Sequence, residues 1–234
     1  MRLLTLPGVF RPDCDSRMVA ELLKSSTRSD ECVLDVFTGS GVLAITAARC
    51  GAREVWAIDV SRRAVLCAAL NARLNGVALN VRRGSMLEPV RGLRFDTILA
   101  NPPYVPSVAE GERSRGAARA WEGGDGGRAL LDPFLAEAPG HLRPGGRILV
   151  VHSSLCGIER SVEQLEARGL SARVAAQVTG PLGPLAAARV EALERSGALR
   201  PGERSERIAV IEGCAPLAAK AAPTVGEREA APVV

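Results

Sequence analysis

At 234 residues, 47% of them hydrophobic, the chain is long enough for one domain with a sizeable core. No apolar run reaches the roughly 18 residues of a membrane span, and the opening Met-Arg-Leu-Leu-Thr-Leu-Pro-Gly breaks too early for a signal peptide. A formal net charge of +4, carried almost wholly by arginine, is too small to argue for a nucleic-acid partner. Aromatics make up only 3% of the residues, so small apolar side chains must build the core, as in helices packed closely on a sheet. The six cysteines (14, 32, 50, 67, 156 and 214) are scattered, without a Cys-x-x-Cys pair. They read as buried free thiols, and the expected compartment is a reducing cytoplasm.

In chain order, residues 1–12 are extended. A helix starts after Asp13 or Asp15 with Met18, Val19, Leu22 and Leu23 on one face, giving an N-terminal segment over 1–30. From there, 31–212 reads as one α/β unit. Cys32–Phe37 is a strand, Thr38-Gly39-Ser40-Gly41 a loop, and Val42–Cys50 a helix of small residues. Glu54–Asp59 is a second strand, and Ser61 caps a helix through Asn75. Leu79–Arg82 and Phe95–Ala100 are the third and fourth strands. After a polar Gly/Arg-rich stretch over 106–127, a helix is expected over 128–142. Pro144-Gly145-Gly146 then turns into a strand, Arg147–His152. A helix over 157–168, a strand over 170–178, a helix near 184–197 and a strand over 207–211 follow. The tail, 213–234, is expected to be disordered. Strands alternating with helices predict a doubly wound, mainly parallel sheet.

Two loops at expected strand ends carry the chemistry. Asn101-Pro102-Pro103-Tyr104 follows the fourth strand, and two prolines cannot continue a ladder. The Asn101 side-chain carbonyl and the Pro102 main-chain carbonyl are two acceptors on a stiff frame, able to hold both hydrogens of a planar –NH2 group. Tyr104 can stack on that plane. The alternative is an ordinary Asn-Pro turn. Asp35-x-Phe37-Thr38-Gly39-x-Gly41 lies between a strand and a helix, where glycines bring a ligand near backbone N–H groups. The second strand ends on Asp59, placed to take two ribose hydroxyls. A dinucleotide is the competing ligand, but Asp35 would face a pyrophosphate unfavourably. A carboxylate there suits the ammonium and sulfonium of S-adenosylmethionine.

VLDVFTGSGVLAITAAR, IDVSRRAV, LNARLNG, FDTILANPPYVP, AWEGGDGGRALLD, LRPGGRILVVHSS and GPLGPL together resemble the HemK family of protein glutamine N5-methyltransferases, in particular its short HemK2-like branch. The likeness covers roughly residues 5–212. Longer release-factor enzymes carry a helical domain before the first motif, where this chain has about 30 residues. The resemblance implies a Rossmann-like class I methyltransferase fold, a seven-stranded mainly parallel sheet with helices on both faces, its last strand antiparallel. It implies S-adenosyl-L-methionine as cofactor, held by Asp35, Phe37, Thr38, Gly39, Gly41, Asp59, Val60, Ser85 and Met86, with Asn101 at its edge. Asn101, Pro102 and Tyr104 are the implied catalytic residues. Pro103, Trp121 and Arg128 join them in binding substrate, the glycine-rich 122–127 segment being a flexible cover with Trp121 as a wall and Arg128 as a brace. Two positions depart from the family pattern: Phe37 replaces a glycine, and Ser85 stands where an aspartate usually meets the adenine amino group.

The implied acceptor is a glutamine in the Gly-Gly-Gln tip of a peptide-chain release factor, or another protein. Methyl transfer from an activated sulfonium calls for no metal. Three other readings are a small-molecule N-methyltransferase, a DNA adenine-N6 methyltransferase and a non-enzymatic cofactor-binding scaffold. A DNA enzyme would need a basic face and a target-recognition domain that this sequence lacks. A homodimer or a small activator subunit fits the branch. His152 reads as a satisfied strand-end histidine, and Arg113, Arg115 and Arg119 as a solvated loop.

Overall fold

The computed structural model describes residues 1–107 and 122–218. Seven strands, β1 (Cys32–Val36), β2 (Glu54–Asp59), β3 (Asn80–Arg83), β4 (Phe95–Ala100), β5 (Leu142–Ser153), β6 (Ser171–Pro181) and β7 (Ser205–Cys214), form one sheet in the order β3-β2-β1-β4-β5-β7-β6. β1 to β5 are parallel, and β7 runs antiparallel to both β5 and β6, as expected for the last strand. Strand β1 is buried along its whole length, as a central parallel strand covered on both faces must be.

Alternation along the strands feeds two cores. On one face Leu34, Val36, Ile98 and Ala100 meet Leu131, Phe134 and Leu135 of α4 (Leu131–Glu137) and Ile158 and Leu165 of α5 (Ile158–Glu166). On the other, Val33, Leu99 and Leu149 meet Val19 and Leu23 of α1 (Cys14–Ser26) and Leu43, Ala44 and Ala47 of α2 (Val42–Arg49). Asp13, with extended backbone, caps α1 by accepting from the Cys14 N–H at 2.8 Å, and Ser61 caps α3 (Arg62–Leu74). Side chains of α3 hold the N-terminal segment: Asn71 accepts from the Leu4 N–H at 2.8 Å and donates to the Leu4 carbonyl at 2.9 Å.

Three expectations about element limits are corrected. The helix expected over 128–142 is α4 followed by a 3-10 turn at Ala138–His141, because Pro139 and Gly140 cannot sustain it. The helix near 184–197 is two short ones, α6 (Pro184–Ala187) and α7 (Val190–Arg195), since Arg189 leaves helical geometry between them. Strand β7 extends to Cys214, and Ala215 still donates to the Gly146 carbonyl at 2.8 Å. Most of the tail, from 219 on, lies outside the described residues.

Candidate active site

The strand order reverses between β1 and β4, and the chain's polar loops collect where those parallel strands end. In doubly wound sheets this is where ligands bind. Asp35 is the last residue but one of β1, Asp59 ends β2, Ser85 follows β3 and Asn101 follows β4. They line one cavity of about 1690 Å3. Pockets for a single small ligand measure about 300–1,000 Å3, so this cavity is larger than one such ligand needs.

Asp35 is wholly buried. Its Oδ2 accepts from the Thr38 hydroxyl at 2.6 Å and the Ala44 N–H at 3.1 Å, while Oδ1 has no hydrogen-bond partner among the described residues. Burial pushes its pKa up to about 7, against the lowering effect of those two donors. Such a half-satisfied buried carboxyl on a cavity wall is a candidate partner for a cation. Asp59 is held in place by the loop it faces, its Oδ2 accepting from Gly39 N–H at 3.0 Å and its Oδ1 from Ser61 N–H at 2.9 Å. Thr38, Gly39, Val60, Ser85 and Met86 also border the cavity.

Phe37 adopts φ 62°, the left-handed conformation a glycine would take freely. Its ring packs edge-on against Phe134, centroids 6.0 Å apart, which offsets the roughly 1–2 kcal/mol cost of that backbone. Gly41 does not line the cavity. With φ 82° and Ala68 Cβ only 3.0 Å from where its own Cβ would stand, it lets α2 pack on α3.

The Asn101–Tyr104 loop is pinned from α1. Asn101 Nδ2 donates to Ser16 Oγ at 3.4 Å, with Oδ1 as the remaining acceptor. The Tyr104 hydroxyl donates to the buried carboxylate of Asp15, and its ring packs against both cores. Burial and this carboxylate raise the Tyr104 pKa far above its ordinary value, so the phenol stays protonated. Pro102 and Pro103 border the same cavity. Asp15 and Ser16 were not legible as site residues. With Asp13 taking the cap, Asp15 sits inside the helix and needed a partner, which was the available signal.

The glycine-rich segment is corrected from a flexible cover to a support. Gly123 N–H donates to the Val105 carbonyl at 2.9 Å, and Ser107 N–H to the Gly124 carbonyl at 2.9 Å. A Cβ on Gly127 would strike the Tyr104 carbonyl and stand 2.6 Å from Cys156 Sγ. Only glycine allows two loops to lie back to back this way. Gly127→Ala, with φ 73° as well, is expected to destabilise the protein by about 2–4 kcal/mol in denaturant titration. A midpoint equal to wild type would contradict this packing.

Arg128, expected to brace the substrate pocket, does not border the cavity. Its guanidinium is buried behind the loop, bonding Asp132 Oδ1 at 2.7 Å, Gln164 Oε1 at 2.7 Å, Ser161 Oγ at 3.1 Å and the Cys156 and Gly157 carbonyls. It therefore braces the fold rather than a ligand. His152 is a satisfied core residue, Nε2 2.9 Å from Ser161 Oγ, and burial lowers its pKa to about 4, leaving it neutral near pH 7. Trp121, Arg113, Arg115 and Arg119 lie outside the described residues.

Residues 1–115 match the family model described as Methyltransferase small domain. A Methanocaldococcus jannaschii protein assigned as a protein N5-glutamine methyltransferase is 33% identical over 175 residues, spanning 75% of this chain and 87% of the relative. The mouse methyltransferase HEMK2 is 30% identical over 178 residues, spanning 71% of this chain and 82% of the relative. The release factor glutamine methyltransferase of Gloeobacter violaceus is 33% identical over 179 residues, and the match spans only 62% of that longer protein. Among solved structures, a Pyrococcus furiosus methyltransferase shares the fold at 19% identity, TM-score 0.60, covering 92% of this chain and 89% of that one. A T. thermophilus 16S rRNA N2 G1207 methyltransferase, solved with AdoMet and guanosine, shares it at 21% identity, TM-score 0.58, covering 92% of this chain and 49% of that one. The motifs, the sheet and these relatives together make the chain a class I methyltransferase of the HemK family.

Proposed function

We propose that this chain moves a methyl group from S-adenosylmethionine to the side-chain amide nitrogen of a glutamine, that of the Gly-Gly-Gln tip of a peptide-chain release factor. The observation that carries the reading is that Asn101, Pro102 and Tyr104 border the cavity on a loop stiffened by two prolines, where the Asn101 side chain and the Pro102 main chain each carry an acceptor. The cavity fits the cofactor: Asp35 offers a buried, half-satisfied carboxyl to its cationic groups, and Asp59 a fixed carboxylate to its ribose. When bound, S-adenosylmethionine supplies an activated methyl on a positively charged sulfur.

The residues of the chain do the rest. An amide nitrogen is a poor nucleophile because its lone pair is delocalised. Asn101 Oδ1 and the Pro102 carbonyl, accepting from its two N–H groups, orient it and raise its electron density. Both bonds strengthen as positive charge develops on nitrogen, so they favour the transition state over the ground state. Fixing the nitrogen at attack distance contributes on the order of 7 kcal/mol in favourable cases. The product nitrogen then releases its proton to solvent, and no side chain is needed as base. Tyr104, locked by Asp15, gives the flat amide a face to lie against. Among the described residues no helix is long and apolar enough to cross a membrane, and a translation-factor substrate would be met in the cytoplasm, which supports that location.

Labelled cofactor incubated with a release factor, its tip Gln→Ala variant and adenine-containing DNA tests the proposal. Label is expected in the intact release factor alone. Equal label in the Gln→Ala protein, or label in DNA, would overturn it, and label in none would turn the search to small-molecule acceptors.

A further inference from the structure

Antiparallel neighbours such as β6 and β7 can be joined by a two- to five-residue loop. Here residues 182–204 intervene, folded as α6 and α7 over a small core of their own formed by Leu155, Leu182, Ala186, Leu193 and Leu199. Connections longer than about 12–15 residues are unusual unless they serve a function. This one is fixed at both ends. Gly183 N–H donates to Glu206 Oε1 at 2.7 Å, and Leu182 N–H to the Arg204 carbonyl at 3.1 Å. Arg189, at the break between α6 and α7, donates to the Pro106 carbonyl at 3.1 Å and pairs with Glu122. The insert is thereby tied to the far end of the Asn101–Tyr104 loop. It also forms a wall of the same cavity, with Leu182, Pro184 and Leu185 from its start, and Val178, Pro181 and Ile208 from the strands beside it.

Two of these large aliphatic side chains are exposed, Val178 at 45% and Leu185 at 36%. They line the same cavity as the Asn101–Tyr104 loop. We infer that the 182–204 insert is an acceptor-selecting wall, and that Val178 and Leu185 take up an apolar side chain lying within a few residues of the reacting glutamine. This rests on the glutamine reading for the acceptor's backbone chemistry, while the wall itself rests on the insert's geometry. Its rigidity matters to the inference. A wall anchored through Arg189, Gly183 and its own core is formed before substrate arrives, so little ordering cost opposes binding.

The test uses short Gly-Gly-Gln peptides in which each flanking position is varied through Leu, Ala, Asp and Lys, with wild type and a Val178→Glu/Leu185→Glu variant. Both positions are exposed, so the variant is expected to keep its melting temperature and its cofactor affinity by calorimetry. Wild type should prefer Leu over Asp at one flanking position by about tenfold or more in kcat/KM. The double variant should lose that preference and turn toward Lys. A flat wild-type profile, or an unchanged preference in the variant, overturns the inference. Methylation of no peptide would instead count against the glutamine reading. The wall is then read from binding of 8-anilinonaphthalene-1-sulfonate with S-adenosylhomocysteine present. Binding at least tenfold weaker in the variant supports an apolar wall, and equal binding overturns it.

Discussion

Asn101→Ala is expected to lower turnover by about a hundredfold or more while leaving cofactor affinity unchanged. The substitution removes the side-chain acceptor and leaves the Pro102 carbonyl in place. The loop should hold its position, because its firmest tie is the Tyr104 hydroxyl on Asp15 rather than the longer 3.4 Å bond from Asn101 to Ser16. The loss should therefore fall on kcat, where an interaction that strengthens only with developing charge belongs. Single-turnover rates and calorimetry with the cofactor separate the two effects. A wild-type rate would make the loop a structural turn, and a parallel loss of cofactor affinity would place Asn101 in the cofactor site first.

A second large effect is expected at Asp35. Burial lifts its pKa from 3.8 to about 7, so in the free protein the carboxyl is half protonated near neutrality. A cationic ligand requires the ionised form. Affinity for S-adenosylmethionine should thus tighten by about tenfold per pH unit as pH rises toward 7, and level off above it. Stability has the opposite sign. A raised folded-state pKa means this group's contribution is fully present below 3.8 and is lost as pH climbs through 7. Asp35→Asn should accordingly raise the melting temperature of the free protein at pH 7, keep an oxygen for Thr38 and Ala44, and weaken the cofactor tenfold or more without pH dependence. Calorimetry between about pH 5.5 and 7 decides. A flat wild-type affinity would show that Asp35 does not meet the positive charge.

Much of this was legible in the sequence because buried strands declare themselves locally. Glu54–Asp59 and Phe95–Ala100 fall where their apolar runs end, and each run delivers a polar residue to the sheet's carboxyl edge. Helix limits were less legible where a tertiary partner intervened: Arg189 leaves the helix to reach the Pro106 carbonyl, which no local pattern encodes. The same holds for Asp15 and Tyr104, 89 residues apart in sequence. Arg128 shows the remaining gap. A cation at the start of a helix reads alike whether it faces a cavity or the protein interior, and only the fold shows that its donors are spent on α5 and the adjoining turn. Glycines 123 and 127 misled in a related way, since a run that reads as freedom can equally mark two backbones in contact.

If the Asn101–Pro102 acceptors orient the amide, the methyl group goes to one side-chain nitrogen. Tandem mass spectrometry of a release factor treated with enzyme and cofactor tests it most directly, because it locates the methylated atom. One methyl is expected on the side-chain nitrogen of the tip glutamine, absent from a reaction with Asn101→Ala enzyme run for the same time. A methyl found instead on lysine, arginine or a main-chain nitrogen would contradict it.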